Sequence, residues 1–206
     1  IGCAVCDRPE GTFKDCGMMF RSNGIKVQNS IDPFYIEDNG HKYLFWGSFR
    51  GIYAIELSED GLSLKSGSSP VQIAGTAYEG TYIHKRGGYY YMFASIGSCC
   101  EGLKSTYTTV VGRSTSLFGP YLDKKGQSMM DNHHEILIHK NDSFVGTGHN
   151  SEIVSDNAGT DWLFYHAVSV ANPDGRVLML DKIDWIDGWP SVEGNSHSVK
   201  SEKPRF

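Results

Sequence analysis

No apolar run in this chain approaches the roughly 18 residues that cross a bilayer as a helix. No stripe of lysine and arginine is available to hold a phosphate backbone either. With 19 basic against 24 acidic residues the net charge is −5, so neither a membrane span nor a nucleic-acid partner is expected. Cysteine is scarce and odd in number, five in all. Cys3 and Cys6 make a CxxC, but it sits in a strand-like context with no second CxxC or His pair, which excludes a structural zinc and a thioredoxin-type motif. Free or loosely paired thiols are the expectation, with Cys99 and Cys100 adjacent and Cys16 near the first two. His133-His134-Glu135 lacks the HExxH helix of a zinc site and reads as a loop. A leader peptide is also lacking, which carries no meaning if the true start lies elsewhere. The opening IGCAVCDRPEG reads as a strand already under way, so the chain is expected to begin inside a fold.

What the sequence has in quantity is glycine, tyrosine and phenylalanine, at 24, 11 and 10 residues. Such a composition favours short strands and tight turns over helices. The stretch EGTYIHKRGGYYYMF (79–93) shows the pattern: two aromatic runs flank a Gly-Gly pair, a strong hairpin signal. A glutamate stands at the mouth of its first strand.

The hairpin recurs. At an offset of 47 residues, IDPFYIEDNGHKYLFWGS (31–48) lies over YEGTYIHKRGGYYYMFAS (78–95), and Asp32 falls on Glu79. In GHNSEIVSDNAGTDWLFYHA (148–167) the pattern returns with two extra turn residues, and His149 takes the place of the acids. A second repeat, at an offset of 108, lays CDRPEGTFKD (6–15) over STSLFGPYLD (114–123). Three complete units (roughly 29–66, 79–126 and 147–190) and a truncated one at the front predict a β-propeller of four-stranded blades. A β-sandwich with coincidentally similar hairpins gives no reason for polar residues to recur at one repeat position. In a propeller the innermost strands line the axis, so Asp32, Glu79 and His149 should converge at one end of it. Taken singly, an Asp before Pro is a turn initiator, a Glu before Gly a solvated strand end, and this histidine a loop residue. Three register-matched positions outweigh those readings, because facing carboxylates raise one another's proton affinity and are costly unless used.

NSIDPFYIEDNGHKYLFWGSF, EGTYIHKRGGYYYMF, SIGSCCEG, VVGRSTSLFGPYLDKKG, GTGHNSEIV and DGWPSVEG together resemble family-43 glycoside hydrolases, in particular their endo-acting 1,5-α-L-arabinanase branch. The resemblance runs through nearly all of the chain. It implies a five-bladed β-propeller, of which residues 1–206 would be one N-terminally incomplete catalytic domain of about three and a half blades. It also implies inverting hydrolysis of α-1,5-linked arabinan outside the cell, in a secreted or periplasmic setting. On that pattern Glu79 in YEGTYI is the general acid. Asp32 in SIDPF is the carboxylate that orients the acid and tunes its proton affinity. His149 in GTGHNS is the axial histidine beside a largely water-ligated cation such as Ca²⁺. Asn29, Ser30, Ser48 and Cys99 flank these motifs as candidate sugar contacts. Trp46 and Phe49 could stack on sugars but read as core.

One part of the family pattern is missing. The general base should be an axial aspartate in a His-Asp-Pro context, and the only Asp-Pro here is Asp32-Pro33. An inverting site needs both carboxyl groups. The expectation is therefore that the base and the remaining blades lie on an N-terminal segment outside this sequence, and that these 206 residues alone are inactive. An exo-acting arabinofuranosidase or β-xylosidase of the same family is the alternative, as is a non-catalytic arabinan-binding propeller if the base is truly absent.

Overall fold

Strands form where aromatic and β-branched residues lie between glycine-bearing turns. The computed structural model describes residues 1–206 and holds one α-helical turn, α1 (Ser22–Ile25), among 15 strands. The first two, β1 (Gly2–Val5) and β2 (Lys14–Met18), form a two-stranded antiparallel sheet. A four-stranded meander follows: β3 (Phe34–Asp38), β4 (His41–Trp46), β5 (Ile52–Glu56) and β6 (Val71–Ala74). The next sheet orders β7 (Glu79–Arg86), β8 (Tyr89–Ile96), β9 (Thr108–Ser114) and β10 (Glu135–Ile138) in the same way. In the last sheet β11 (Phe144–Gly148) and β12 (Ile153–Ser155) both pair with β13 (Asp161–Ser169), which continues to β14 (Arg176–Ile186) and β15 (Trp189–Ser191). The chain thus builds a half-blade and three full blades. Outer strands β6 and β10 lie beyond residues 66 and 126, where the repeat pattern placed the unit ends. Both are four-residue edge strands reached through long loops, too short to register as repeats.

The 108-residue repeat describes real geometry: Val5 pairs with Lys14 in the half-blade, and Arg113 with Leu122 in the second full blade. The 47-residue register is off by one. The turn residues are Asn39-Gly40 between Asp38 and His41, and Gly87-Gly88 between Arg86 and Tyr89, an offset of 48. All four turn residues have positive φ, the geometry a two-residue hairpin loop requires.

Side-chain faces agree with 48. Phe45 and the partly buried Tyr43 belong to the core between the first and second full blades, whereas Leu44 and Trp46 face the half-blade side. In the second full blade Tyr91 and Phe93 face the third, while Met92 and Ala94 face the first. Phe45 therefore corresponds to Phe93. A slip of one residue would send every side chain to the wrong neighbour. A bulge between Glu79 and Tyr82 explains why the letters at the strand mouth still match at 47.

Apolar packing between blades is reinforced by charged groups at the outer hairpin ends. Asp38 accepts from Lys85 Nζ and Tyr90 Oη of the next blade. At the corresponding place one blade on, Arg86 donates to Asp161 (2.8 Å), which also accepts from Trp185 Nε1 (2.7 Å) and from Ser155 Oγ. Asp161 is buried, so its removal strands the indole N–H and unpairs the guanidinium. Asp161→Ala should lower the unfolding free energy of the full-length protein by about 2–4 kcal/mol in a urea titration; a loss within experimental error would show that the clamp carries no stability.

Candidate active site

The three inner strands present their mouths to one another around a cavity of about 470 Å³, lined by residues that include Asp32, Gly80, Thr81, His149, Asn150 and Glu152. Asp32 lies two residues before β3 rather than within it, and His149 lies in the break between β11 and β12. Both have left-handed backbones, with φ of 55° and 49°, a conformation uncommon for non-glycine residues and more accessible to Asp and His than to most. Gly80, which corresponds to Asp32 at the 48-residue offset, has φ of 59°. Glycine is required there twice over: the angle favours it, and a Cβ would stand 3.1 Å from the His149 ring.

Glu79 is the first residue of β7, directly opposite Ser95 on β8. Its Oε2 accepts from Ser48 Oγ at 2.8 Å, a contact that crosses from the preceding blade. Ser95 Oγ in turn accepts from the His149 backbone N–H at 2.7 Å, tying the third blade to the second. The Gly80 N–H lies near enough to the Asp32 carboxylate to favour its charged form. Burial pushes the Asp32 carboxyl above its ordinary range; the His149 imidazole and the Gly80 N–H work against this, and the Glu79 charge adds to it. The structure thus brings Asp32, Glu79 and His149 together.

The flanking candidates separate. Asn29 donates to the Ser48 carbonyl (2.9 Å), which braces the segment that carries the Glu79 contact. The Ser30 hydroxyl donates to the Val27 carbonyl (2.9 Å) and accepts from Trp46 Nε1 (3.1 Å). Ser48 is buried and spends its hydroxyl on Glu79. Cys99 lies on the loop after β8 and is joined to Cys100 in a disulfide, which corrects the expectation of free or loosely paired thiols at that pair. Cys3, Cys6 and Cys16 are free. Trp46 is core, but Phe49 is exposed beside Ser48, contrary to a core reading, because its left-handed backbone (φ 50°) turns it out of the sheet.

Sequence reasoning passed over the polar lining. Thr81 Oγ1 and Asn150 Oδ1 are buried and have no hydrogen-bond partner. Both residues belong to the cavity lining with Asp32 and His149, but these two oxygens lie beneath its surface, so Asp32 and His149 are the groups that could face a hard cation and its waters. Tyr107, Ser95 and His166 were likewise unmarked as site residues, although Ser95 and His166 lie inside the repeated stretches. Ser95 alone left a trace, as the partner of Ser48 in the repeat.

The comparisons place the chain, with its propeller blades and axial carboxylates, in a family. Residues 1–190 match the profile of glycosyl hydrolases family 43. The chain belongs to that family. It is 38% identical over 189 residues to the extracellular endo-α-(1→5)-L-arabinanase 1 of Bacillus subtilis, covering 88% of this chain and 56% of that one. To the extracellular exo-α-(1→5)-L-arabinofuranosidase of Cellvibrio japonicus it is 35% identical, covering 90% and 58%. Among solved structures, the Cellvibrio cellulosa α-L-arabinanase complexed with arabinohexaose superposes with a TM-score of 0.81 at 32% identity, covering 92% of this chain and 65% of that one. An exo-1,5-α-L-arabinanase from a bovine ruminal metagenomic library gives 0.81 at 34%, covering 90% and 64%. The chain therefore spans between about half and two thirds of the length of these relatives. Their fold is a five-bladed propeller, and this chain supplies three and a half of its blades.

The position of Asp32 has a thermodynamic consequence. A carboxyl raised in the folded state stabilises the fold while protonated, and that contribution is lost as pH rises through the folded-state value. Asp32→Asn mimics the protonated form. The variant should be more stable than the parent at pH 7, and the gap should close as pH falls below about 4, where the parent also carries the proton. Thermal melts across that range test this, and a variant less stable at pH 7 would contradict it.

Proposed function

We propose that this chain is the larger part of an inverting hydrolase of α-1,5-linked L-arabinan, cutting linear chains internally, with Glu79 as general acid. The observation that carries the reading is that Asp32 and His149 line one axial cavity and that both the His149 imidazole and the Glu79 carboxylate act on the Asp32 charge, in a member of family 43. Glu79 gives its proton to the glycosidic oxygen as the bond from C1 to that oxygen breaks. A second carboxylate takes a proton from a water that attacks C1 from the opposite face, about 6.5–9.5 Å from the acid, and the product is inverted. Asp32, beside the Gly80 N–H, orients the site beside Glu79 and the sugar that occupies the cavity.

No His-Asp-Pro aspartate stands in these residues to act as base. Glu152 also lines the cavity, but as an exposed rim residue. We assign the base and the missing blades to chain outside residues 1–206. Two observations support this: the relatives are longer, and Val5, Phe13 and Met18 of the half-blade expose apolar side chains that further strands would cover. A calcium-type ion would be held beside His149 and Asp32, largely through water. When bound it would supply positive charge on the axis. Secretion is supported by the two relatives named as extracellular, and no helix here is long and apolar enough to cross a membrane.

Exo-acting release of arabinose is the second reading, favoured by the similarity to two exo-acting relatives. The product pattern on linear arabinan separates the two. In the full-length protein, Glu79→Gln should cut kcat on arabinan by about 10²-fold or more with arabino-oligosaccharide binding retained in calorimetry. Turnover near the parent's would reject Glu79 as the acid. Tight binding by the parent without any hydrolysis would leave an arabinan-binding propeller.

A further inference from the structure

Tyr107 lies one residue before β9, between the motifs SIGSCCEG and VVGRSTSLFGPYLDKKG but in neither, and it is a neighbour of Glu79. The side chain is among the most deeply buried in the molecule. Its ring stacks on His166 of β13, with centroids 5.6 Å apart and planes 12° from parallel. Room for the ring exists only because residue 148 is glycine: a Cβ there would stand 2.2 Å from Tyr107 Cδ1. The third blade's inner strand therefore gives up a side chain to let this phenol approach the axis.

The hydroxyl at the end of that ring has no hydrogen-bond partner in bonding geometry, and its polar neighbours are the Glu79 carboxylate and the Ser95 hydroxyl. A buried phenol without a partner costs free energy that folding would ordinarily avoid. Burial first, and then the Glu79 carboxylate, hold the phenol protonated well above its usual range, so it faces the acid as a donor. Under the ring, His166 is kept neutral: burial, Arg176 and His149 bring it down to about 4 against the pull of Glu79. Its Nδ1 is also buried and unpartnered. The groups around Tyr107 are thus the Glu79 and Asp32 carboxylates, the Ser95 hydroxyl and one neutral imidazole.

Resting on the reading of Glu79 as general acid, we infer that Tyr107 is its positioning residue, a second donor to the carboxyl group beside Ser48 that fixes the direction in which the proton leaves. Apo sites commonly hold such contacts slightly open and close them when substrate arrives. Neither Ser48 nor Tyr107 exchanges a proton with the sugar. His166 and Gly148 serve the phenol: one supports its face and the other makes its space.

Tyr107→Phe in the full-length protein tests this, because phenylalanine keeps the stack on His166 and removes only the hydroxyl. On linear arabinan kcat should fall by about tenfold or more while KM stays within about twofold. The basic limb of the pH–rate profile should move, and the melting temperature should hold or rise as the unpartnered hydroxyl is lost. On an arabino-oligosaccharide carrying a nitrophenyl leaving group, which departs with little protonation, the defect should shrink for both Tyr107→Phe and Glu79→Gln. The double variant should be no slower than Glu79→Gln alone, since a positioning residue has nothing left to position. If Glu79→Gln is impaired but Tyr107→Phe turns over arabinan like the parent, or loses equally on both substrates, the inference is wrong. If Glu79→Gln itself is unimpaired, the general-acid reading fails first.

Discussion

Every strand in this molecule has two neighbours to satisfy. A propeller blade packs one face on the blade before it and the other on the blade after it, so the alternation of side chains along the strand decides which core each residue enters. Phe45 and Phe93 go forward, and Leu44, Trp46, Met92 and Ala94 go back. The two-residue turns at Asn39-Gly40 and Gly87-Gly88 keep that parity, because their left-handed pairs match the twist of the strands they join. Once the faces are set, the inner strands can only arrive at the axis mouth-first. What they carry there, Asp32 and Glu79, is placed by packing that happens well away from the chemistry.

The mouth is where regular structure gives way. The backbone turns left-handed at Asp32, Gly80 and His149, β7 bulges between Glu79 and Tyr82, and the third blade's inner strand breaks in two. Each departure moves a polar group off the sheet and toward the cavity. Cross-blade hydrogen bonds hold the result in place: Ser48 to Glu79, the His149 N–H to Ser95. Strain at such positions persists only where surrounding contacts over-determine it, and the buried core beneath supplies that rigidity.

How far the residues alone disclosed this differs from one feature to another. The hairpins, the half-blade register and the convergence of three polar residues were legible, because turn chemistry and periodic aromatics are local signals. The 47-residue alignment was not right by a single position. Tyr35-Ile36 and Ser48 match Tyr82-Ile83 and Ser95 by letter, and a bulge at the strand mouth hides the slip that the packing faces reveal. The Cys99–Cys100 bond and the outward turn of Phe49 depend on loop backbone that no pattern encodes. Tyr107 left no trace at all. Its significance lies in Gly148 and His166, which tertiary packing alone brings beside it.

The central claim is an acid on these blades working with a base across the axis, and the anomeric configuration of the first product tests it most directly. Proton NMR of the full-length protein acting on an α-1,5-linked arabino-oligosaccharide should show the new reducing end appear first as the β-anomer, with the α-anomer growing in only by mutarotation. First appearance of the α-anomer would mean retention, with a nucleophile within about 5.5 Å of the acid, and would contradict the account.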